Sequence, residues 1–278
     1  MRVIMKTLLL AGATVIATAQ GRPHMTAQAP TEHDPRLSDF RAIEFRRYLV
    51  RDGERKHFAQ YFDIYFPEAF QQLGAIAAGS FLERNNPNGF TWIRAFHGVD
   101  DRAVVNAEFY YGSVWNEHRD TLNDLMTDSD NVMLLRPLSP ELGLAILPAV
   151  DPVREPDGAQ GVIVAQLFAV KKDAVDAFAK DAEPAFSQYR TAGAREAGVL
   201  VTLDVNNNFP QLPVRTDGPY LIWLGILRDT EALNKSFMPL TQQLSATFAA
   251  TGLLRESPEL IVLDPTPRSR MRWPASWR

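Results

Sequence analysis

Cysteine is absent from all 278 residues. That excludes disulfides, thiolate nucleophiles and thiolate metal sites, and it leaves the redox compartment open. Histidine is scarce. The five stand at His24, His33, His57, His97 and His118, with none in the last 160 residues. No HxH or HExxH spacing occurs, so no preformed metal site is expected. GxGxxG, Walker and GxSxG patterns are missing too, and no cofactor is expected. An excess of basic charge is also lacking. Lys and Arg number 29 against 33 Asp and Glu, a formal charge of −4. Duplex-binding chains carry a basic field, so nucleic acid is excluded as the expected partner. No apolar run reaches the roughly 20 residues of a stable membrane span.

What is present is an ordinary globular composition, 46% hydrophobic and 22% charged. At roughly 100–150 residues per domain, the length suggests two domains. The first residues differ from the rest. Arg2 and Lys6 precede an apolar run from Leu8 to Ala19 that ends in Ala17-Thr18-Ala19, a small-x-small cleavage pattern. Residues 1–19 are therefore expected to be an export signal, giving a periplasmic or secreted product whose formal charge falls from −4 to −6. A start at Met25 would instead leave the chain cytoplasmic. Residues 20–39 read as a polar, proline-containing linker.

The remainder repeats one pattern. In the first half, Ile43, Phe45 and Leu49 alternate with Glu44, Arg46 and Tyr48, a strand period. Phe58, Tyr61, Phe62, Tyr65, Phe66, Ala69, Phe70 and Leu73 then recur at helical spacing, and Gly74 closes that helix. Strands near 75–83 and 90–97 flank an Asn-Asn-Pro-Asn-Gly turn. A helix from Arg102 to Met126 and a strand from Val132 to Arg136 complete the order βαββαβ. The second half gives the same order: strand 162–170, helix 174–191, strands 198–205 and 220–227, helix 230–254 and strand 260–263. Pro67 and Pro184, Gly79 and Gly198, Gly89 and Gly218, and Pro137 and Pro265 correspond, given an insertion of about ten residues near Asn206–Thr216. The fold class is α+β. Two ferredoxin-like units, at 40–138 and 161–266, pair their sheets as in a dimeric α/β-barrel. Whether they pair within one chain or between chains stays open, and a homo-oligomer with it. Residues 139–160 read as a linker. The tail 267–278, with Arg268, Arg270, Arg272, Arg278, Trp273 and Trp277, reads as basic and loosely ordered or packed back.

The first half resembles bacterial NIPSNAP-family domains. The resemblance is carried by Glu44-Phe45-Arg46-Arg47-Tyr48, Phe90 through Phe96, Phe109-Tyr110-Tyr111-Gly112, Val114-Trp115, His118-Arg119-Asp120, Asp128 through Val132 and Leu134-Leu135-Arg136-Pro137. The second half looks like a diverged copy that keeps the pattern and loses the motifs. The resemblance implies a barrel of ferredoxin-like units. It attaches no firm reaction, although the wider superfamily includes cofactor-free monooxygenases and haem-degrading enzymes.

Two groups of residues are candidates for a site. Tyr111, Val114, Trp115, His118, Leu122 and Leu125 share a helical stripe. His118 is thus either a packed, hydrogen-bonded histidine or a proton carrier, with Arg119 on its flank as a surface ion pair or a ligand contact. On the strands, Glu44, Arg46 and Tyr48 point one way, Phe90, Trp92, Arg94 and Phe96 share a face, and so do Val132, Leu134 and Arg136. These faces are expected to meet inside the barrel. A buried arginine there needs an anion or an internal partner, Glu44 being the one available. The matching second-half strands are apolar, so a polar site belongs to the first half. The Thr127-Asp128-Ser129-Asp130-Asn131 run lacks the glycine and glutamate of a calcium loop and reads as a turn.

The expected role is binding, of a small hydrophobic or anionic molecule or of a protein partner. Arg46, Tyr48, Trp92, Arg94, Trp115 and Arg119 are the candidate ligand contacts. A second reading is a cofactor-independent monooxygenase or isomerase in which His118 moves protons. A third is a docking module using Tyr61 and Tyr65.

Overall fold

The computed structural model describes residues 36–275. The export-signal reading and most of the 20–39 linker lie outside the described residues. In the first half the elements are β1 (Ala42–Val50), α1 (Arg55–Tyr65), α2 (Pro67–Gln72), β2 (Ile76–Glu83), β3 (Gly89–Phe96), α3 (Val99–Tyr110), α4 (Ser113–Leu125) and β4 (Met126–Pro137). The second half contributes β5 (Val162–Ala169), α5 (Val175–Thr191), β6 (Arg195–Thr202), β7 (Tyr220–Leu227), α6 (Thr230–Ala232), a π-helical turn (Leu233–Phe237), α7 (Met238–Ala250) and β8 (Glu259–Pro265).

All eight strands close one barrel within the single chain, in the order β1-β3-β2-β8-β5-β7-β6-β4. Each half supplies its strands in the ferredoxin-like arrangement, with its first and third strands at the centre. Two antiparallel seams join them: Leu82 faces Asp264 across β2 and β8, and Arg136 faces Val201 across β4 and β6. Among the described residues, closure leaves no edge strand to pair with another molecule. Beta-bulges fall at Ala77–Gly79 and at Glu196–Gly198, matching places in the two halves. At Gly79 a Cβ would meet the Phe81 ring at 2.3 Å, so the close approach requires glycine.

Strand alternation sorts the core into layers. Ile43, Phe45, Ile93, Ala95, Met133 and Leu135 pack with Ile163, Ala165, Leu167, Ile222, Leu224 and Leu263 from the other half. That mixed set fills the lumen. The opposite strand faces pack on helices. Tyr48, Phe90, Trp92 and Phe96 meet Phe58, Phe62, Phe66, Phe70 and Phe109 in the first half. Val162, Val164, Phe168 and Trp223 meet Phe178, Phe186, Phe237 and Phe248 in the second.

Several sequence expectations need correction. The first-half helices are each broken. α1 stops before Phe66, and Pro67 starts α2, where its missing N–H costs nothing. α3 gives way to α4 at Tyr111-Gly112, where a Cβ on Gly112 would meet the Glu108 carbonyl oxygen at 2.4 Å. Pro184 sits inside an unbroken α5, so the two prolines do different things. The Thr127–Asn131 run is strand, not turn. It pairs with β1 through irregular register at Arg47–Val50, and pairing overrides its turn-forming composition. The segment 139–160 does more than link. Leu144 and Ile146 join Phe40 and Met271 in the lumen core. The described part of the tail packs back, with Arg272 buried and bonded to both carboxylate oxygens of Glu155.

Candidate functional site

Glu44, Arg46 and Arg94 do not enter the lumen. Glu44, Arg46, Trp92 and Arg94 face the first-half helices, and the site lies between that sheet and α1–α4. The lumen takes the alternate set, apolar at Ile43, Phe45, Ile93 and Ala95, where it meets the apolar inner face of the other half, with Arg47, Glu83 and Thr91 bonded to one another towards the strand ends. On the helix side, Arg102 on α3 reaches down to the same carboxylate.

Glu44 is the centre. Its Oε2 accepts from Arg46 Nη1 at 2.7 Å and from Arg94 Nε at 2.6 Å, and its Oε1 accepts from Arg102 Nε at 2.6 Å. Among the described residues it is the one carboxylate bonded to these three guanidinium groups, and all four side chains are buried. The cluster therefore carries a surplus of two positive charges. Arginine does not shed its proton inside proteins, so titration cannot relieve that surplus. Burial pushes the Glu44 carboxyl up, but Arg94, Arg46 and Arg102 outweigh it and hold the group well below the usual carboxylate range. Burial pulls Arg46 down, and Tyr48 and Glu44 more than reverse that, keeping it charged. Burial raises the Tyr48 phenol beyond what Arg46, donating to its oxygen at 2.7 Å, offsets. Tyr48 is thus a neutral phenol at physiological pH.

Several donors here are buried without partners. They are Arg94 Nη1 and Nη2, Arg102 Nη2, Trp92 Nε1 and the Asn106 amide, whose oxygen is also unpaired. Aromatic rings receive part of the charge. The Arg94 guanidinium carbon lies 4.9 Å from the Phe70 ring, 5.1 Å from Trp92, 5.2 Å from Phe96 and 5.9 Å from Tyr110. Such contacts contribute roughly 0.5–2 kcal/mol each and do not replace hydrogen bonds to the nitrogens.

Against this cluster lies a gap of about 30 Å³, lined by Tyr48, Phe62, Phe70, Trp92, Tyr110 and Trp115 among others. Tyr48, Phe70, Trp92 and Tyr110 belong to both, since each also contacts Arg46 or Arg94. One end of the site is cationic and the other aromatic. A larger open groove, about 750 Å³, runs along the β4–β6 seam. Its lining balances Arg136, Lys172 and Arg215 against Asp173, Asp176 and Asp204. Arg136 and Arg215 are already bonded to Pro137 O and to Asp217. Its charges balance and Lys172, Asp173, Asp176 and Asp204 are exposed to solvent, so the smaller gap, beside buried unpaired donors, is the better candidate.

Of the expected site residues, Arg46, Tyr48, Trp92, Arg94 and Trp115 come together. His118 and Arg119 do not join them. His118 bonds Tyr61 Oη through Nδ1 at 2.7 Å and stacks on Tyr65 at 3.8 Å, and it does not line the gap. Arg119 is exposed beside Asp120 at 3.5 Å. Arg102, Asn106 and Tyr110 were missed by sequence reasoning. Their spacing of four residues each, on one face of α3, was the available signal. Asn207 and Asn208, whose Oδ1 atoms accept from Arg102 Nη1 at 3.1 and 2.8 Å, come from the other half and left no such signal.

Comparison with known proteins places the fold. No protein-family model and no curated protein matches the sequence. Among solved structures, a candidate monooxygenase from Fusobacterium nucleatum is similar at a TM-score of 0.53 and 8% identity, over 81% of this chain and 92% of that one. An anthrone oxidase-like protein gives 0.52 and 12%, over 84% and 94%. A NIPSNAP-family protein from Agrobacterium tumefaciens covers 37% of this chain and 91% of its own at 19% identity, with a TM-score of 0.34 too low to support an argument. These likenesses are those of fold: the chain is an α+β protein whose eight antiparallel strands close a barrel like those of the dimeric α/β-barrel proteins.

Proposed function

We propose that the first half binds a small anionic molecule with an aromatic body, held between the sheet and its helices. The observation that carries this is the buried surplus of two positive charges around Glu44, with both Arg94 Nη atoms unpaired. An uncompensated buried charge costs several kcal/mol, so an anion that meets those donors gains what Glu44 alone does not supply. The aromatic gap beside it suits a flat apolar body. Its own volume holds about one water, so a ligand requires the half-exposed rim of Tyr110, Trp115 and Met126 to part.

The apolar lumen argues against a chamber inside the barrel. Likeness to a candidate monooxygenase and an anthrone oxidase-like protein makes oxidation of such a ligand the second reading. His118 is not at the site to serve it, and a neutral Tyr48 is the proton donor within reach.

The test is a titration with 2-naphthoate and its neutral analogue 2-naphthamide, followed by quenching of tryptophan fluorescence, Trp92 and Trp115 being in the gap wall. Naphthoate is expected to bind at least tenfold more tightly than the amide. Equal binding, or none of either, would overturn the reading.

A further inference from the structure

We infer that the loop supplied by the second half, through the neutral amides of Asn207 and Asn208, sets the charge selectivity of the first-half site. This rests on the anion-binding reading above and names the residues that make it selective.

The segment between β6 and β7, residues 203–219, exceeds its first-half counterpart, the short 84–88 turn, and its excess is spent on the other half. Asn208 Nδ2 donates to Val99 O at 2.7 Å, at the start of α3. Gln211 Nε2 donates to Tyr111 Oη at 3.0 Å. Leu203 N and Arg215 N donate to Leu134 O and Val132 O, at 3.0 and 2.8 Å. Phe209 is buried, its ring 6.0 Å from Tyr110 and 6.5 Å from Tyr111. Inside the loop, Asn207 Nδ2 donates to Leu212 O at 2.8 Å, and Asn207 Oδ1 accepts from Phe209 N at 3.1 Å. The two asparagine oxygens are thereby aimed at Arg102.

The chemistry of that choice is what matters. A buried guanidinium that needs an oxygen acceptor is met more strongly by a carboxylate than by an amide. An aspartate at either position would be the tighter partner for Arg102, at the loss of the amide donation to Leu212 O or Val99 O. It would also cancel half of the positive surplus, and aspartates at both would cancel all of it. The amides satisfy Arg102 Nη1 and leave the surplus intact. Arg102 Nη2 remains unpaired on the same group. Asn207 and Asn208 thus act as positioning residues: they hold Arg102 on Glu44 without neutralising the cluster. The predicted ligand class follows, an aromatic carboxylate or other aromatic anion, with a dianion preferred to a monoanion and a neutral analogue disfavoured.

The experiment compares the intact chain with Asn208→Asp and, as a second route to the same charge change, Asn207→Asp. Each is titrated with 2-naphthoate, 2,6-naphthalenedicarboxylate and 2-naphthamide, and its thermal midpoint is recorded. In the parent chain the dicarboxylate is expected to bind more tightly than naphthoate. In either variant naphthoate is expected to weaken tenfold or more, the dicarboxylate further, and naphthamide by less than twofold. The midpoint is expected to fall only modestly, because Arg102 gains a charged partner while the amide donation to Val99 O or Leu212 O is lost. A variant whose midpoint falls sharply is set aside in favour of the other aspartate. If both fall sharply, the loop amides are structural and the inference is overturned. Parent binding of naphthoate with variants that bind it as well also overturns the inference, while leaving the anion site standing. A parent chain that does not distinguish naphthoate from naphthamide overturns both.

Discussion

Arg94 and Gly225 occupy corresponding places on the two halves. Each lies two residues beyond a tryptophan, Trp92 or Trp223, on the third strand of its half, and faces the first strand, at Glu44 or Val164. In the second half a Cβ at Gly225 would lie 2.5 Å from the Trp223 ring, which fills the space, and the Trp223 indole donates to Glu196 at 3.0 Å. In the first half the same place holds a guanidinium with two unpaired nitrogens, beside an indole N–H that is also unpaired. One half has completed its layer and the other has not. That asymmetry is the physical basis for placing the site in the first half.

Removing Arg94 should therefore cost binding more than stability. In Arg94→Met, Glu44 keeps Arg46 and Arg102, and the cluster loses one surplus charge. Breaking an isolated buried pair costs about 3–5 kcal/mol because a charge is left alone, but no carboxylate is left alone here. The expected loss is under about 2 kcal/mol by urea denaturation, with naphthoate affinity down at least tenfold. A loss above about 3 kcal/mol with unchanged affinity would make Arg94 a structural pin.

Glu44 behaves oppositely. Its carboxyl titrates lower in the folded chain than in the unfolded one, so the unfolded chain binds the extra proton between the two values. The stabilisation is complete above the ordinary value of 4.5 and is lost as pH falls towards the folded value. Glu44→Gln leaves three buried guanidinium groups without a carboxylate and should lose about 3–5 kcal/mol at neutral pH. The variant's acid limb below 4.5 should be flatter than the parent's. Denaturation curves across that range check both statements, and parallel acid limbs would contradict the assignment.

Asp63 gives the reverse sign. It is buried on α1, where its Oδ1 accepts from Ser80 Oγ at 2.8 Å and Ser80 meets Thr266 at 2.7 Å. Burial raises its carboxyl above 3.8, and the bonds from Thr266 and Ser80 only partly offset this. The folded chain then binds the proton more tightly, so its contribution is favourable below 3.8 and fades as pH rises through the folded value. Asp63→Asn keeps an oxygen for Ser80 and removes the buried charge. It should raise stability by up to about 1 kcal/mol at neutral pH and by nothing near 3.8. A variant less stable at neutral pH would show that the carboxylate itself is needed.

Much of this architecture was legible in the alternation of residues. The period of two grouped Glu44, Arg46 and Tyr48 with one another, and Trp92 with Arg94. The structure keeps both groups together. Which side of the sheet they face was not legible, because both sides are buried and a charged set on one of them marks neither as the lumen. The deciding fact is that Ile43, Phe45, Ile93 and Ala95 match an apolar face more than a hundred residues away. The helix breaks at Phe66-Pro67 and Tyr111-Gly112 hid behind apolar spacing that continues across them. Asn207 and Asn208 were visible as part of an insertion. Their destination depends on two barrel seams that no local pattern encodes.

His118 offers a last separation between binding and catalysis. Its ring is half-buried, bonded to Tyr61 and stacked on Tyr65, and these contacts tie α4 to α1. A role in helix packing predicts a modest cost for His118→Ala, about 1 kcal/mol for the lost hydrogen bond and stacking, seen as a lower urea midpoint. Because His118 does not line the aromatic gap, naphthoate affinity should stay within twofold of the parent. His118→Gln, able to keep a hydrogen bond to Tyr61, should recover part of the stability and change binding no further. A tenfold loss of affinity in both variants at unchanged midpoint would put the histidine in contact with the ligand. The site would then extend across α1 and α4, beyond the Glu44 cluster.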